Sequence, residues 1–423
     1  MISNKTTGFS NEEMKDIVIS FLKERESEKA LKKVLIVGPD FTRFNSNAGI
    51  LSNFAYHYLT DKGCQVQILE ALGTHVPMTE EQCTEMYGDI PFSAFISHDW
   101  RNDVMKIGEV SGEYISSITE GLWTNSIDVE INRLIMDPSY DLILSVGQVV
   151  PHEVIGMANH AKNLFVGVGG YSMINQSHMI GAVYGMERMM GKDFTPVRKI
   201  FDYALEHFLS ERPIYFMLTV CTAPGGKTQT HGIFSGNTRK VLEDAVALAQ
   251  EKNIDFVETG IKKCIVYLDP KEFKTTWLGN KSVYRTRMAI ADGGDLIVLA
   301  PGVERFGEDM GIDALIRKYG YRGRISTLEQ FKANEDLRVN AGCAAHLIHG
   351  SSDGRFNITY CVKEISQEEI SGVGFKAASY DEMAKKYNPE KLTYGYNNVD
   401  GEEVFFIPNP ALGLWINKEK FNS

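Results

Sequence analysis

The chain has no apolar run approaching the ~20 residues needed to cross a bilayer. Its N-terminal stretch, MISNKTTGFSNEEMKDIVISFLKERESEKALKK, carries no apolar signal core. It has no CxxC pair, no HExxH motif, no internal repeat and no low-complexity segment. Basic charge is also scarce: 44 Lys and Arg stand against 55 Asp and Glu, a formal charge of -11. Each absence excludes something. The first two argue against a membrane protein and the acidic balance against a nucleic-acid binder, which needs a basic surface for phosphate. Six scattered cysteines without zinc-finger spacing fit reduced thiols in a cytoplasm, not a disulfide framework. A small anionic substrate stays open, because one pocket can be positive on an acidic protein.

What is present is a soluble globular composition, 43% hydrophobic and 23% charged over 423 residues, enough for two domains. Met14 to Lys33 reads as a charged amphipathic helix leading into the apolar run Val34 to Val37. Helical spacing through Leu51, Phe54 and Tyr58 follows, then a strand over Val66 to Leu72. Thr79 is placed to cap a helix over Glu80 to Met86. Further strands are expected near Ala94 to Ser97, over Asp141 to Val150 and over Phe216 to Cys221, with helices over Ile180 to Met190, Val197 to Leu209 and Arg239 to Lys252. The alternation predicts a doubly wound, mainly parallel α/β sheet in a domain over 1–263. Residues 264–423 repeat the alternation: helices over Tyr284 to Ala291, Ile312 to Tyr319 and Leu337 to Ile348, with strands over Asp295 to Ala300 and Phe356 to Val362. Two α/β domains with a cleft between them are therefore expected.

Ligands of such sheets bind beyond the carboxyl ends of the strands. Arg43, His75, His98 and His152 each follow an expected strand. Between Ser145 and Met179 the chain adds His160, Lys162 and His178 to His152, among glycines at Gly156, Gly167, Gly169 and Gly170. Imidazoles move protons or bind metals near neutral pH, and a lysine can hold an anion or form a covalent bond. His98 and His152, at strand ends, are candidates for a proton-transferring pair. His178 is the best candidate metal ligand, and Lys162 precedes apolar Leu164-Phe165-Val166, which suggests partial burial. The glycines can cradle a phosphate, or can simply shape a turn. Arg43 suits bidentate carboxylate recognition. Asp40 is as well explained by a helix cap as by a ligand role. His57, His207, His231, His346 and His349 are read as packed or surface residues, and His160 as structural. His75 is balanced between bracing the Gly73 to Thr79 turn and serving the site.

These residues resemble the nickel-pincer lactate racemase family. The resemblance is carried by Asp40-Phe41-Thr42-Arg43, Gly73-Thr74-His75-Val76-Pro77-Met78-Thr79, His98-Asp99 and Pro151-His152, with Lys162 and His178 following. A weaker match continues to Trp277 and Lys281 ahead of Gly293-Gly294. It implies a racemase or epimerase of 2-hydroxy acids that uses a nickel-bound pyridinium mononucleotide with sulfur ligands. By that resemblance His178 binds nickel and Lys162 tethers the cofactor. His98 and His152 act on the substrate hydroxyl, while Arg43 and Lys281 hold anionic groups. Asp40, Lys281 and Trp277 line the cofactor. It also implies partner proteins that make the cofactor and insert nickel.

The chain departs from the family where Ala158-Asn159-His160-Ala161 replaces a Ser-Gly-Gly-like run, and where Trp277 and Leu278 replace a tyrosine and a glutamine. A remodelled pocket points to a 2-hydroxy acid other than lactate, a sugar acid such as an aldonate. The rival readings are a hydrolase or lyase with another metal at His178, and a binding protein for an organic acid.

Overall fold

Helix starts in this chain are written into its sequence. Ser10 and Glu13 exchange the two hydrogen bonds of a capping box to open α1 (Asn11–Glu28), and Thr79 and Gln82 do the same for α3 (Glu80–Tyr87). The computed structural model describes Ile2, Ser3 and residues 7–421. It divides into two compact units, one of residues 1–180 and 189–253, the other of 181–188 and 254–423.

In the first unit β1 (Lys33–Pro39), α2 (Ala48–Thr60), β2 (Gln65–Ala71), α3 and β3 (Phe95–Ser97) follow one another. A two-stranded antiparallel pair then intervenes, β4 (Val104–Val110) with β5 (Ile127–Asn132), which the sequence reading did not anticipate. The main sheet resumes with β6 (Leu142–Gln148). After it come α4 (Tyr171–Tyr184), α5 (Pro196–Phe208), β7 (Ile214–Thr222), β8 (Gln229–Gly236) and α6 (Arg239–Asn253). The order across the sheet is Ile2–Ser3, β8, β7, β6, β1, β2, β3. From β7 to β3 every pairing is parallel, and β8 runs antiparallel to β7. The expected doubly wound, mainly parallel sheet is therefore present. Parallel strands must be covered on both faces. Val34 and Ile36 pack on Val18 and Leu22 of α1 and Leu51 and Leu59 of α2, while Leu35 and Val37 are buried on the other side.

Winding changes direction between β1 and β6. From β1 the chain proceeds outward to β2 and β3, then returns to add β6 and β7 on the other flank. At such a switch point the loops after the two central strands diverge and leave a crevice. The loops that leave here are those carrying Asp40 and His152.

The second unit repeats the architecture with β9 (Ile261–Tyr267), β10 (Ile290–Ala300), β11 (Asn357–Val362), β12 (Lys376–Ser379), β13 (Gly395–Val399) and β14 (Glu402–Ile407), ordered β12, β11, β10, β9, β14, β13. Only the β13–β14 pair is antiparallel. Three expected helices come out differently. The segment expected as helix over Tyr284 to Ala291 is one turn, Lys281–Tyr284, followed by the start of β10, because Ile290 pairs with Ile261 of β9. The Met-rich helix begins earlier, at Tyr171, and ends before Gly185, whose φ of 106° no helix accepts. The helix over Leu337 to Ile348 is split into Glu335–Arg338 and Ala341–His349. All six cysteines are free and buried. Among the described residues no helix is long and apolar enough to cross a membrane.

Helices α2 and α3 meet at Gly49, where an added Cβ would lie 2.0 Å from the Met86 carbonyl oxygen. Backbone cannot yield as a side chain can, so Gly49→Ala is expected to lower stability by about 1–3 kcal/mol. A thermal or urea melt checks it; an unchanged midpoint would show that the two helices can separate without cost.

Candidate active site

β1 ends at Pro39, and the chain turns on Asp40, whose exposure is 5%. Its carboxylate accepts the backbone N–H of Thr42 (2.9 Å) and the Thr42 hydroxyl, capping the 3₁₀ turn Phe41–Ser46, and its other oxygen meets Nδ1 of His75. Burial pushes this carboxyl up, but the bonds from His75 and Thr42 and the Arg43 charge outweigh it, leaving the group below the usual carboxylate range. Asp40 is thus both the cap and a partner of the site.

His75 rides the loop after β2. Gly73, at φ 57°, donates to the Gly167 carbonyl at 2.8 Å, and the Thr79 cap closes the loop's far end. With Nδ1–H donated to Asp40, His75 keeps the Nε2 lone pair on a half-exposed ring.

β6 delivers His152. Pro151 and His152 pair antiparallel with Met157 and Gly156 in a tight hairpin, and the Val154 N–H donates to His152 Nδ1 at 3.1 Å. The imidazole's own proton is then on Nε2. Burial drives its proton affinity well down; Glu153 pulls the other way, and the positive charge of Lys162, Arg43 and His178 lowers it further. His152 is a neutral imidazole at neutral pH.

Lys162 stands at the head of a single π-helical turn, Asn163–Gly167. Asn163 anchors that turn under the sheet, donating to Ser145 of β6 at 2.9 Å. Leu164, Phe165 and Val166 are buried, as expected. Burial, followed by the Arg43 charge, brings the Lys162 amine down to about 8, against the pull of Glu153 and Asp40. His178 lies in the middle of α4, not after a loop, and its Nδ1 donates to the Ile174 carbonyl at 2.6 Å. That bond leaves the Nε2 lone pair for a ligand, the usual arrangement of a metal-binding imidazole. Burial and then Lys162 lower its proton affinity, while the bond to Ile174 raises it. Arg43, His152, Lys162 and His178 each sense at least one of the others electrostatically, so the fold has brought them together.

His98 is placed otherwise. It is 4% exposed, its Nε2 donates to the Gly169 carbonyl (2.9 Å), and its Nδ1 accepts the Asn132 side-chain amide (3.0 Å). Both ring nitrogens are committed to protein. Its charged neighbours are Asp103 and Asp99, not the Lys162 group.

The glycines allow close approach and do not form an anion cradle. A Cβ on Gly169 would lie 1.9 Å from the Phe165 carbonyl, and one on Gly170 would meet the Glu130 side chain at 2.5 Å. Glu130 itself receives the Ser172 N–H at 2.8 Å, so a carboxylate already occupies the start of α4. Before Lys162, Asn159 and His160 have φ of 68° and 58°. Two consecutive non-glycine residues in the left-handed region cost roughly 1–2 kcal/mol each.

Trp277 and Lys281 belong to the second unit. The Trp277 ring stacks on His346 at 4.0 Å, His346 Nε2 bonds the Tyr321 hydroxyl at 3.0 Å, and Lys281 Nζ lies 5.8 Å from the Phe273 ring centre. Among the described residues no three of His, Cys, Asp and Glu gather to hold a metal ion. Through Nε2, His178 would give a metal one imidazole ligand. A sulfur-ligated nucleotide fits that donor set, with the Lys162 amine beside it.

No curated protein sequence matches the chain. In fold it is similar to a crystal structure of a protein from Thermotoga maritima (TM-score 0.80, 20% identity, 99% of this chain and 100% of that one). It is also similar to the lactate racemase apoprotein from Thermoanaerobacterium thermosaccharolyticum (TM-score 0.71, 16% identity, 95% and 92%). Residues 16–190, which hold Asp40, His75, His152, Lys162 and His178, match the model of the lactate racemase N-terminal domain. Over those residues the chain is similar to the lactate racemase family.

Proposed function

We propose that the chain is a racemase or epimerase that inverts C2 of a 2-hydroxy acid with a nickel-pincer nucleotide. The observation that carries this reading is the gathering of His152, Lys162 and His178 with the Asp40–His75 pair at the sheet's switch point. A C2 hydrogen beside a carboxylate is a poor acid, since its loss as a proton gives a dianion. Removing it as hydride avoids that state, and the nucleotide, when bound, supplies a reversible hydride acceptor.

The chain's own residues do the rest. His178 Nε2 would bind nickel, and Lys162, with an amine at about 8, has a sizeable neutral fraction and so a nucleophile for a covalent tether. Arg43 would take the substrate carboxylate. Two enantiomers present their hydroxyls in opposite directions, so two bases are needed. His152 is one. For the other we propose His75: Asp40 fixes its Nδ1–H and leaves Nε2 available to a proton. His98 enters the scheme only after releasing Gly169 or Asn132. Trp277 and Leu278, where the family has a tyrosine and a glutamine, favour a 2-hydroxy acid other than lactate, and a sugar acid such as an aldonate is the class we propose. Cofactor synthesis and nickel insertion would fall to partner proteins.

Two outcomes test this function. Turnover of a loaded enzyme in D2O is expected to give the inverted 2-hydroxy acid with its C2 protium retained, read by NMR. Deuterium at C2 would instead mean proton abstraction and would defeat the hydride scheme. Substituting glutamine at His75 or His152 is expected to lower kcat about 10²–10⁴-fold with nickel content unchanged, whereas His98→Gln in a folded protein lowers it less than about tenfold. The reverse ranking would restore His98 as the second base. Unchanged ligand binding with no turnover in any variant, wild type included, would favour the binding-protein reading.

A further inference from the structure

Lys162 is held from two sides. Asn163 ties it to Ser145 below, as described. On the other side the chain reaches it through Asn159 and His160, both left-handed. Asn takes this conformation more readily than most residues, but His160 is costly in a second way. It is 1% exposed, its ring is stacked 3.8 Å from Phe216, and among the described residues neither ring nitrogen has a hydrogen-bond partner. Asn159 helps by accepting the His160 N–H on its side chain (2.7 Å), and its amide fills the space over Gly147, where a Cβ would lie 1.9 Å away.

The remaining support comes from α5. Arg198 is 1% exposed, and its guanidinium donates to two backbone carbonyls of this loop, Met157 (2.7 Å) and Asn159 (3.1 Å). Asp193 and Asp202 make their hydrogen bonds to Arg239. A fully buried guanidinium whose neighbouring acids bond to another arginine, while it grips two carbonyls, is unusual for a core residue. It is understandable as a clamp. One nitrogen, Nη2, makes both bonds and so ties the Met157 and Asn159 carbonyls to each other through α5.

We propose that Arg198 is a positioning residue for Lys162: by gripping Met157 and Asn159 it holds the left-handed Asn159–His160 pair, and thereby sets where the Lys162 amine lies. The charged and titratable groups around that amine are Arg43 and Asp40 from the turn after β1, His152 and Glu153 from the hairpin after β6, His178 from α4, and Arg198 itself. Losing the clamp removes a positive charge and admits water to the amine. Both changes raise its proton affinity.

The functional weight of this device rests on Lys162 being the amine that meets the cofactor. The test needs neither cofactor nor turnover, so the two ideas fail separately. The unloaded full chain is labelled with acetic anhydride across pH, and the Lys162 peptide is read by mass against the other lysines. Wild type should give a midpoint near 8. Arg198→Met should move it up by about one unit, leaving about tenfold less neutral amine at pH 7. Arg198→Lys, which keeps a charge but ends one bond short of the Nη2 position that reaches both carbonyls, should move it up as well. With glycine at both 159 and 160 the loop needs no clamp, so Arg198→Met in that background should shift the midpoint by less than half as much and should recover any folding it loses on its own. An unmoved midpoint in folded Arg198→Lys, an equal shift in both backgrounds, or no recovery by the glycines would overturn the proposal.

Discussion

The site depends on crowding like charge where water is scarce. Arg43, His152, Lys162 and His178 share a partly buried neighbourhood with Glu153 and Asp40 as the acids that reach them. Arginine does not give up its proton, so the cost of the crowd falls on the others. The two imidazoles are neutral, and the lysine is neutral in about a tenth of the molecules at pH 7. A neutral imidazole can accept a proton or bind a metal; a protonated one can do neither. A neutral lysine can attack an electrophile. The same burial that would count against these residues in an ordinary core prepares them for chemistry.

The fold makes this crowding possible without unfolding pressure on the backbone. Strands β1 and β6 lie side by side yet send their loops apart, so Asp40 and His152 leave from adjacent positions into one crevice. Under them the Asn163 anchor, the close-packed glycines and the Glu130 cap of α4 are rigid elements that hold Lys162 and His178. Left-handed non-glycine backbone occurs at Asn159–His160, next to Lys162, as it does at Asn47, Glu120 and Phe194 elsewhere in the first unit. Local strain beside a functional group, opposed by a buried guanidinium, is the pattern expected where geometry is held against the chain's own preference.

Much of this was legible in the sequence. Residues that matter because they end a strand could be found by finding the strand, as with Asp40, Arg43 and His152; Lys162 and His178 stood out against an apolar background. His75 and His98 could not be ranked that way, because both follow strands. What separates them is Asn132, which closes on His98 from the end of β5, a hairpin strand whose short, interrupted pattern went unread. Arg198 left no sequence signal at all. It sits in an ordinary amphipathic helix, and only the packing of α5 brings it to the Met157 and Asn159 carbonyls. The Tyr284 to Ala291 segment shows the opposite error, a helical pattern overruled by pairing with β9. Strand ends are local facts; the partners that arm or silence them are not.

In the proposed function Lys162 and His178 meet one metal-bearing nucleotide. Intact mass and nickel content of protein co-produced with cofactor-synthesis and nickel-insertion proteins test this. Nickel near one per chain, lost in His178→Ala, is expected together with a mass increment on the peptide containing Lys162. Absence of both, under conditions that load a known lactate racemase, would contradict it.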